Sequence, residues 1–236
     1  MQAPVVATLA AVSVAAALVL PTLAAERKTQ PGGWTPTLAP VDEPLTNIGR
    51  HACFILEPGY QLLLTGKNGG KQTELTITVL SETREIAGVP TRVVEERETA
   101  GGKLAEVSRN FFALGTKTSN LYYFGEDVDV YKGNKVIHEG AWHAGEGGAK
   151  HGILLPGALK LGDRYYQEQA PGVAMDRAEN ISTDQTVKTP AGEFEHCLKT
   201  KETTPLESGT GYKFFAPGVG LVQDGNLKLV KQSRVK

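Results

Sequence analysis

From His51 onward, apolar and polar residues alternate in short runs that glycine and proline interrupt. In LTITV, Leu75, Ile77 and Val79 alternate with Thr76 and Thr78, the two-residue period of a half-buried strand built from β-branched side chains. Runs of the same kind cover 91–99 (TRVVEERET), 104–114 (LAEVSRNFFAL), 120–127 (NLYYFGED), 135–142 (KVIHEGAW), 164–170 (RYYQEQA), 194–203 (FEHCLKTKET), 211–216 (GYKFFA) and 220–232 (GLVQDGNLKLVKQ). No segment after the leader sustains a helical period over the ten or so residues an ordinary helix needs. Gly69-Gly70, Gly101-Gly102 and Gly133-Asn134 fall between runs, and Asp224-Gly225 within the last run marks a tight hairpin, the kind of two-residue turn that requires positive φ. The pattern predicts one all-β domain over 51–236, made of antiparallel hairpins that form a sandwich, a curved sheet or a half-open barrel.

A short internal repeat supports this meander. REIAGVPTRVVEERET (84–99) aligns with KTPAGEFEHCLKTKET (188–203), both with Ala-Gly at the same place and Glu-Thr at the end. About a dozen residues later, Asn110-Phe111-Phe112-Ala113 matches Lys213-Phe214-Phe215-Ala216. The alignment sets Val93 against Cys197 and predicts that Cys197 faces a core.

Residues 1–25 carry no charged side chain and are rich in Ala, Val and Leu; Pro21, Ala24 and Ala25 then precede Glu26-Arg27-Lys28. This composition predicts a signal peptide cleaved near Ala24 or Ala25, although the Lys or Arg usual before the apolar run is missing. An uncleaved anchor is the alternative, because the run is long enough to span a bilayer. Residues 26–50, rich in Pro, Thr and Gly, read as an extended or disordered arm. The mature protein is therefore expected to be secreted, periplasmic or in the cell envelope, with no membrane span.

The 25 Lys and Arg nearly balance the 26 Asp and Glu, for a net charge of −1. Such a balance lacks the concentrated positive field that nucleic acid or anionic lipid requires. The two cysteines, Cys53 and Cys197, form a candidate disulfide in an oxidising compartment.

Candidate chemistry concentrates in 122–152. His138, His143 and His151, three of the five histidines, could ligate Zn or Cu, although their spacing matches no standard metal signature. On one strand His138 and His143 would face opposite sides unless Gly140 bends it. Glu126, Asp127 and Asp129 offer oxygens suited to Ca²⁺ but lack the spacing of an EF-hand loop. Tyr122, Phe124, Tyr131, Trp142 and Tyr166 could line the mouth of a pocket for an apolar or sugar-like ligand. No G-x-S-x-G turn is present, and Gly145-Glu146-Gly147-Gly148 lacks the Lys-Ser/Thr of a phosphate loop. Carboxylates able to hydrolyse a glycosidic bond cannot be picked out, because their separation is a property of the fold. No cofactor is expected.

The strings YFGEDVDVYKGNKVIHEGAWHAGEGGAKHGILLPG, LGDRYYQEQAPGVAMDRAE, TVKTPAGEF, KETTPLESG and KFFAPGVGLVQ together resemble an uncharacterised family of exported bacterial all-β proteins, over residues from about 51 to 230. TPAGEF followed by FFAPGVGLV is also similar to periplasmic proteins with curved, half-closed sheets like those of lipoprotein carriers. The resemblance implies fold and compartment and no activity. His143 and His151 fall where that family often carries Glu and Pro. The function expected from these residues is non-enzymatic binding of an apolar or amphipathic ligand, or of an envelope partner, on a β surface. A Zn/Cu-binding envelope protein and a cell-wall or polysaccharide hydrolase are the alternatives.

Overall fold

The computed structural model describes residues 33–34 and 42–235. The predicted leader and most of the predicted arm lie outside the described residues. The turns marked by Gly69-Gly70, Gly101-Gly102 and Gly133-Asn134 close where expected, whereas the hairpin read at Asp224-Gly225 turns one residue later, at Gly225-Asn226, and leaves Asp224 as a strand residue opposite Leu227. β1 (Tyr60–Asn68) turns into β2 (Lys71–Ile86) through Gly69-Gly70, β2 into β3 (Val89–Ala100) through Ala87-Gly88, and β3 into β4 (Lys103–Gly115) through Gly101-Gly102. All six turn residues have φ between 51° and 79°, the left-handed region that two-residue hairpins demand. The chain continues through β5 (Leu121–Lys132), β6 (Lys150–Leu155), β7 (Arg164–Tyr166), β8 (Glu168–Gln169), β9 (Arg177–Thr189), β10 (Gly192–Thr203), β11 (Gly211–Ala216), β12 (Gly220–Asp224) and β13 (Leu227–Arg234).

These strands form one antiparallel sheet in the order β7-β9-β10-β11-β12-β13-β1-β2-β3-β4-β5-β6-β8. Its two edge strands, β7 and β8, are separated in sequence by Gln167 alone. Arg164–Gln169 thus lies along the seam, pairing with β9 through its first half and with β6 through its second. The sheet curls into a nearly closed barrel, which resolves the sandwich-or-barrel alternatives and hides most of the edge that an open sheet would expose. At the seam the chains approach closely: a Cβ on Gly152 would stand 2.1 Å from the Gln167 carbonyl oxygen, so only glycine fits there.

Both copies of the repeat have the same local structure. β2-β3-β4 and β9-β10-β11 are each a hairpin followed by an aromatic strand paired beside it. Val93 and Cys197 are both fully buried. Because both copies end in Glu-Thr, the repeat also sets Glu98 against Glu202 and Asn110 against Lys213.

Part of the predicted arm packs on the barrel. Leu45–Thr46 pairs with β4, and Gly49–His51 forms a small hairpin with Phe54–Leu56. Buried Arg92 holds this segment by donating to the Asn47 carbonyl at 2.9 Å, and the Glu43 carboxylate accepts from the Lys117 and Thr118 amides. Among the described residues, no helix is long and apolar enough to cross a membrane.

Candidate functional site

Residues directly opposite in an antiparallel pair share a face. Leu64, Leu75, Glu98 and Glu106 are opposite one another across β1, β2, β3 and β4; Asn180, Thr200, Lys213 and Asp224 are likewise aligned across β9 to β12. Glu98 is nevertheless close enough to Asp224, and Lys213 to Glu96, for their charges to interact. β3 and β12 are four strands apart in the sheet, roughly 19 Å at the usual spacing, so these interactions cross the barrel interior.

The interior is divided along its length. One half is an apolar plug in which Phe112 stacks on Tyr123 at 4.9 Å and meets Phe54 at 5.7 Å, beside Leu114, Leu121, Phe215 and Leu221. A void lined by Phe54, Ile55, Leu62, Ile77, Val79 and Leu221 measures about 10 Å³, room for a single water-sized sphere. The other half is acidic: Glu96, Glu98, Glu126, Glu168 and Asp224 are buried, and Glu106, Asp176 and Glu202 are partly exposed. The Lys213 ammonium sits among them, with Nζ 2.8 Å from Glu202 Oε2.

The polar half is under-satisfied. Both carboxyl oxygens of Glu98, Oε2 of Glu126, Oε2 of Glu168 and Oδ2 of Asp224 are buried without a hydrogen-bond partner. So is Nε1 of Trp142, whose ring meets Tyr123 edge-on at 5.1 Å and which lies opposite Glu126. Other members are held: Tyr123 donates to Asn110 Oδ1 at 2.8 Å, Tyr165 to Asn180 Oδ1 at 3.1 Å, and the Asp176 amide to Glu168 Oε1 at 2.7 Å.

Burial raises the carboxyl pKa values. Glu98 is pushed up to about 7 by desolvation and by the charges of Glu106 and Asp224. Asp176 reaches about 7 through desolvation and the Glu202 charge, and Asp224 about 7 through desolvation that Lys213 only partly offsets. Glu126 and Glu168 lie well above the ordinary carboxyl range, mainly through burial. For Lys213 burial acts downward, but Glu202, Asp224 and Glu96 outweigh it and hold the ammonium above its usual value.

The residues singled out from the sequence are scattered relative to this interior. Trp142 points into it. Tyr122 and Phe124 face the other side, where Phe124 stacks on His151 at 5.2 Å and Tyr122 donates to Glu43 Oε1 at 2.9 Å. Tyr131 is half-buried near the end of β5. Tyr166 lies 6.3 Å from Trp34, over which Arg177 and Arg164 stack. The five aromatic residues therefore do not line one pocket, because neighbours on a strand point to opposite faces.

The three histidines are also separate. His138 Nδ1 is 2.6 Å from Asp129, and both ring nitrogens of His143 face carboxylates, Asp127 at 2.9 Å and Glu146 at 3.2 Å. His151 is half-buried against Phe124 and Tyr122, and desolvation lowers its pKa. Among the described residues no three His, Cys, Asp or Glu side chains converge as a metal-holding group. Alternation likewise separates the oxygen trio considered for Ca²⁺: Glu126 turns inward, whereas Asp127 and Asp129 turn outward to Arg84 and Arg109. Cys53 and Cys197 are buried free thiols; burial, with the Cys197 charge adding, pushes the Cys53 thiol up to about 12.

The inward acids did leave a trace in the sequence. Glu96 and Glu98 follow Val94 at two-residue steps, and Thr200 and Glu202 follow Leu198 in the same way. No family model matches this chain, and no curated protein or solved structure is significantly similar to it.

Proposed function

We propose that this chain is an exported, non-enzymatic binding protein whose ligand enters the polar half of the barrel. The observation that carries the reading is the set of buried, unpartnered polar atoms there. Leaving one buried polar group unsatisfied costs about 1–3 kcal/mol, and five acceptor oxygens and one donor are in this state. A bound molecule would recover much of that cost. Partly exposed Glu106, Asp176 and Glu202 mark the side from which it would enter. The filled apolar half favours a polar ligand over the apolar one that the aromatic residues suggest. Export rests on the uncharged, Ala-rich residues 1–25.

Native mass spectrometry of the protein recovered from a bacterial envelope fraction is expected to show a small-molecule adduct that Trp142→Phe weakens. A protein free of adduct, and not stabilised by any fraction of an envelope solute extract, would overturn the reading. The hydrolase alternative draws on the same carboxyls, since a buried Glu98 with a pKa near 7 has the property of a general acid. It would be recognised by turnover of a polysaccharide that Glu98→Gln abolishes.

A further inference from the structure

Charge and hydrogen-bonding capacity in the polar half are both one-sided. Among the unpartnered buried atoms, those turned into the polar half include five carboxyl oxygens, on Glu98, Glu126, Glu168 and Asp224, and the donor Trp142 Nε1, whereas Arg177 Nε and Thr203 Oγ1 belong to a pair on the other face of the sheet. The five inward residues are at least nine-tenths buried. The acceptors come from β3, β5, β8 and β12, strands spread around the barrel, so one small ion cannot satisfy them together. An anion is opposed by the acids and finds Lys213 already engaged by Glu202 at 2.8 Å. A neutral polyol would supply donors but leave the charge uncompensated. An extended organic cation supplies both, because ammonium N–H groups bonded to carboxylates form the stronger, charge-assisted class of hydrogen bond. The Trp142 indole adds a further requirement: the ligand must also present an acceptor oxygen beside the Glu126 end of the site.

We propose that the polar half of the barrel binds a hydroxylated organic amine, with two cationic N–H donor groups directed to Glu98 and Asp224 and one hydroxyl accepting from Trp142 Nε1. This rests on the reading of the interior as a ligand site and names the chemistry of its occupant. The amine and hydroxyl groups are the recognised features, shared by amino sugars and open-chain amino alcohols.

Three probes of equal backbone length separate the possibilities: diaminopropanol, diaminopropane and glycerol. Calorimetric titration of the full mature protein at pH 8 is expected to show binding in that order, with glycerol not measurable. Glu98→Gln and Asp224→Asn should each weaken diaminopropanol by about tenfold or more, the loss of one charge-assisted hydrogen bond. Trp142→Phe should remove the advantage of diaminopropanol over diaminopropane and leave diaminopropane unchanged. Glu193→Gln, on the outer surface, is the folded control and should change nothing. Glycerol binding as well as the amines, or amine binding that Glu98→Gln and Asp224→Asn leave intact, would overturn the cation proposal. If no amine binds while native mass spectrometry finds a neutral adduct, the cation chemistry fails and the ligand site stands. If neither is seen, both fail.

Discussion

Lys213→Met should cost the folded protein about 3–5 kcal/mol at pH 8, the range seen when one partner of a buried ion pair is removed. Lys213 is 3 % exposed, and its ammonium lies between Glu202 and Asp224 with Glu96 also in electrostatic range. Methionine fills nearly the same volume, so packing changes little while Glu202 loses its ionic partner. At about 2–4 °C per kcal/mol for a chain of this size, thermal melting should fall by roughly 10 °C. At pH 6.5 the loss should be smaller, because Asp224, with a pKa of about 7, can take up a proton in place of the missing ammonium. Melting curves of both proteins at the two pH values check this. A loss under 1 kcal/mol at pH 8 would mean that Lys213 is not the counter-charge of the interior.

Stability of the wild-type protein should fall as pH rises from 6.5 to 8.5. Glu98, Asp176 and Asp224 have folded pKa values of about 7, above the ordinary carboxyl values of the unfolded chain, and Glu126 and Glu168 are shifted in the same direction. The folded state therefore binds more protons than the unfolded state across this window, and raising the pH favours unfolding. Each such group contributes a slope of up to about 1.4 kcal/mol per pH unit. Lys213 does not oppose the trend, since its raised pKa keeps its contribution fully present throughout the window. Buried His51 and half-buried His151 have lowered pKa values, so their effect has the opposite sign but is felt mainly as pH drops below about 6.5, the ordinary histidine value. Glu98→Gln removes one of these titrations and should stabilise the protein at pH 8.5 by about 1–3 kcal/mol, since a buried unpaired carboxylate is replaced by a neutral amide. Denaturant midpoints across the pH series decide the matter. A wild-type stability that is flat or rises with pH contradicts the interior described above.

Local chemistry made the fold largely legible. Glycine pairs placed the hairpins, and alternation such as Leu75, Ile77 and Val79 marked the inward face. Barrel closure was not legible, because Arg164–Gln169 reads as one ordinary strand and only its two different partners make it a seam. The candidate site was mostly hidden. A glutamate at a strand position normally signals solvent, so Glu96 and Glu98 look outward by composition while their step from Val94 places them inward. Conversely, the aromatic and histidine density of 122–152 drew attention to residues that the pleat divides between two faces. Tyr122 and Phe124 pack outside with His151, whereas Tyr123 and Trp142 meet inside. Trp142 and Glu126, which pair across two strands, were both visible in the sequence and part of the interior.

The central claim is that the acidic half of the barrel is a cation-binding site. Carboxyl-carbon NMR of the protein, titrated with diaminopropanol at pH 8, tests it most directly because it reports which acids the ligand touches. The account predicts saturable shifts confined to inward carboxyls, with Glu98 and Asp224 leading. Shifts confined to surface acids such as Glu193 and Glu195, or no saturable shift at any inward carboxyl, would contradict it.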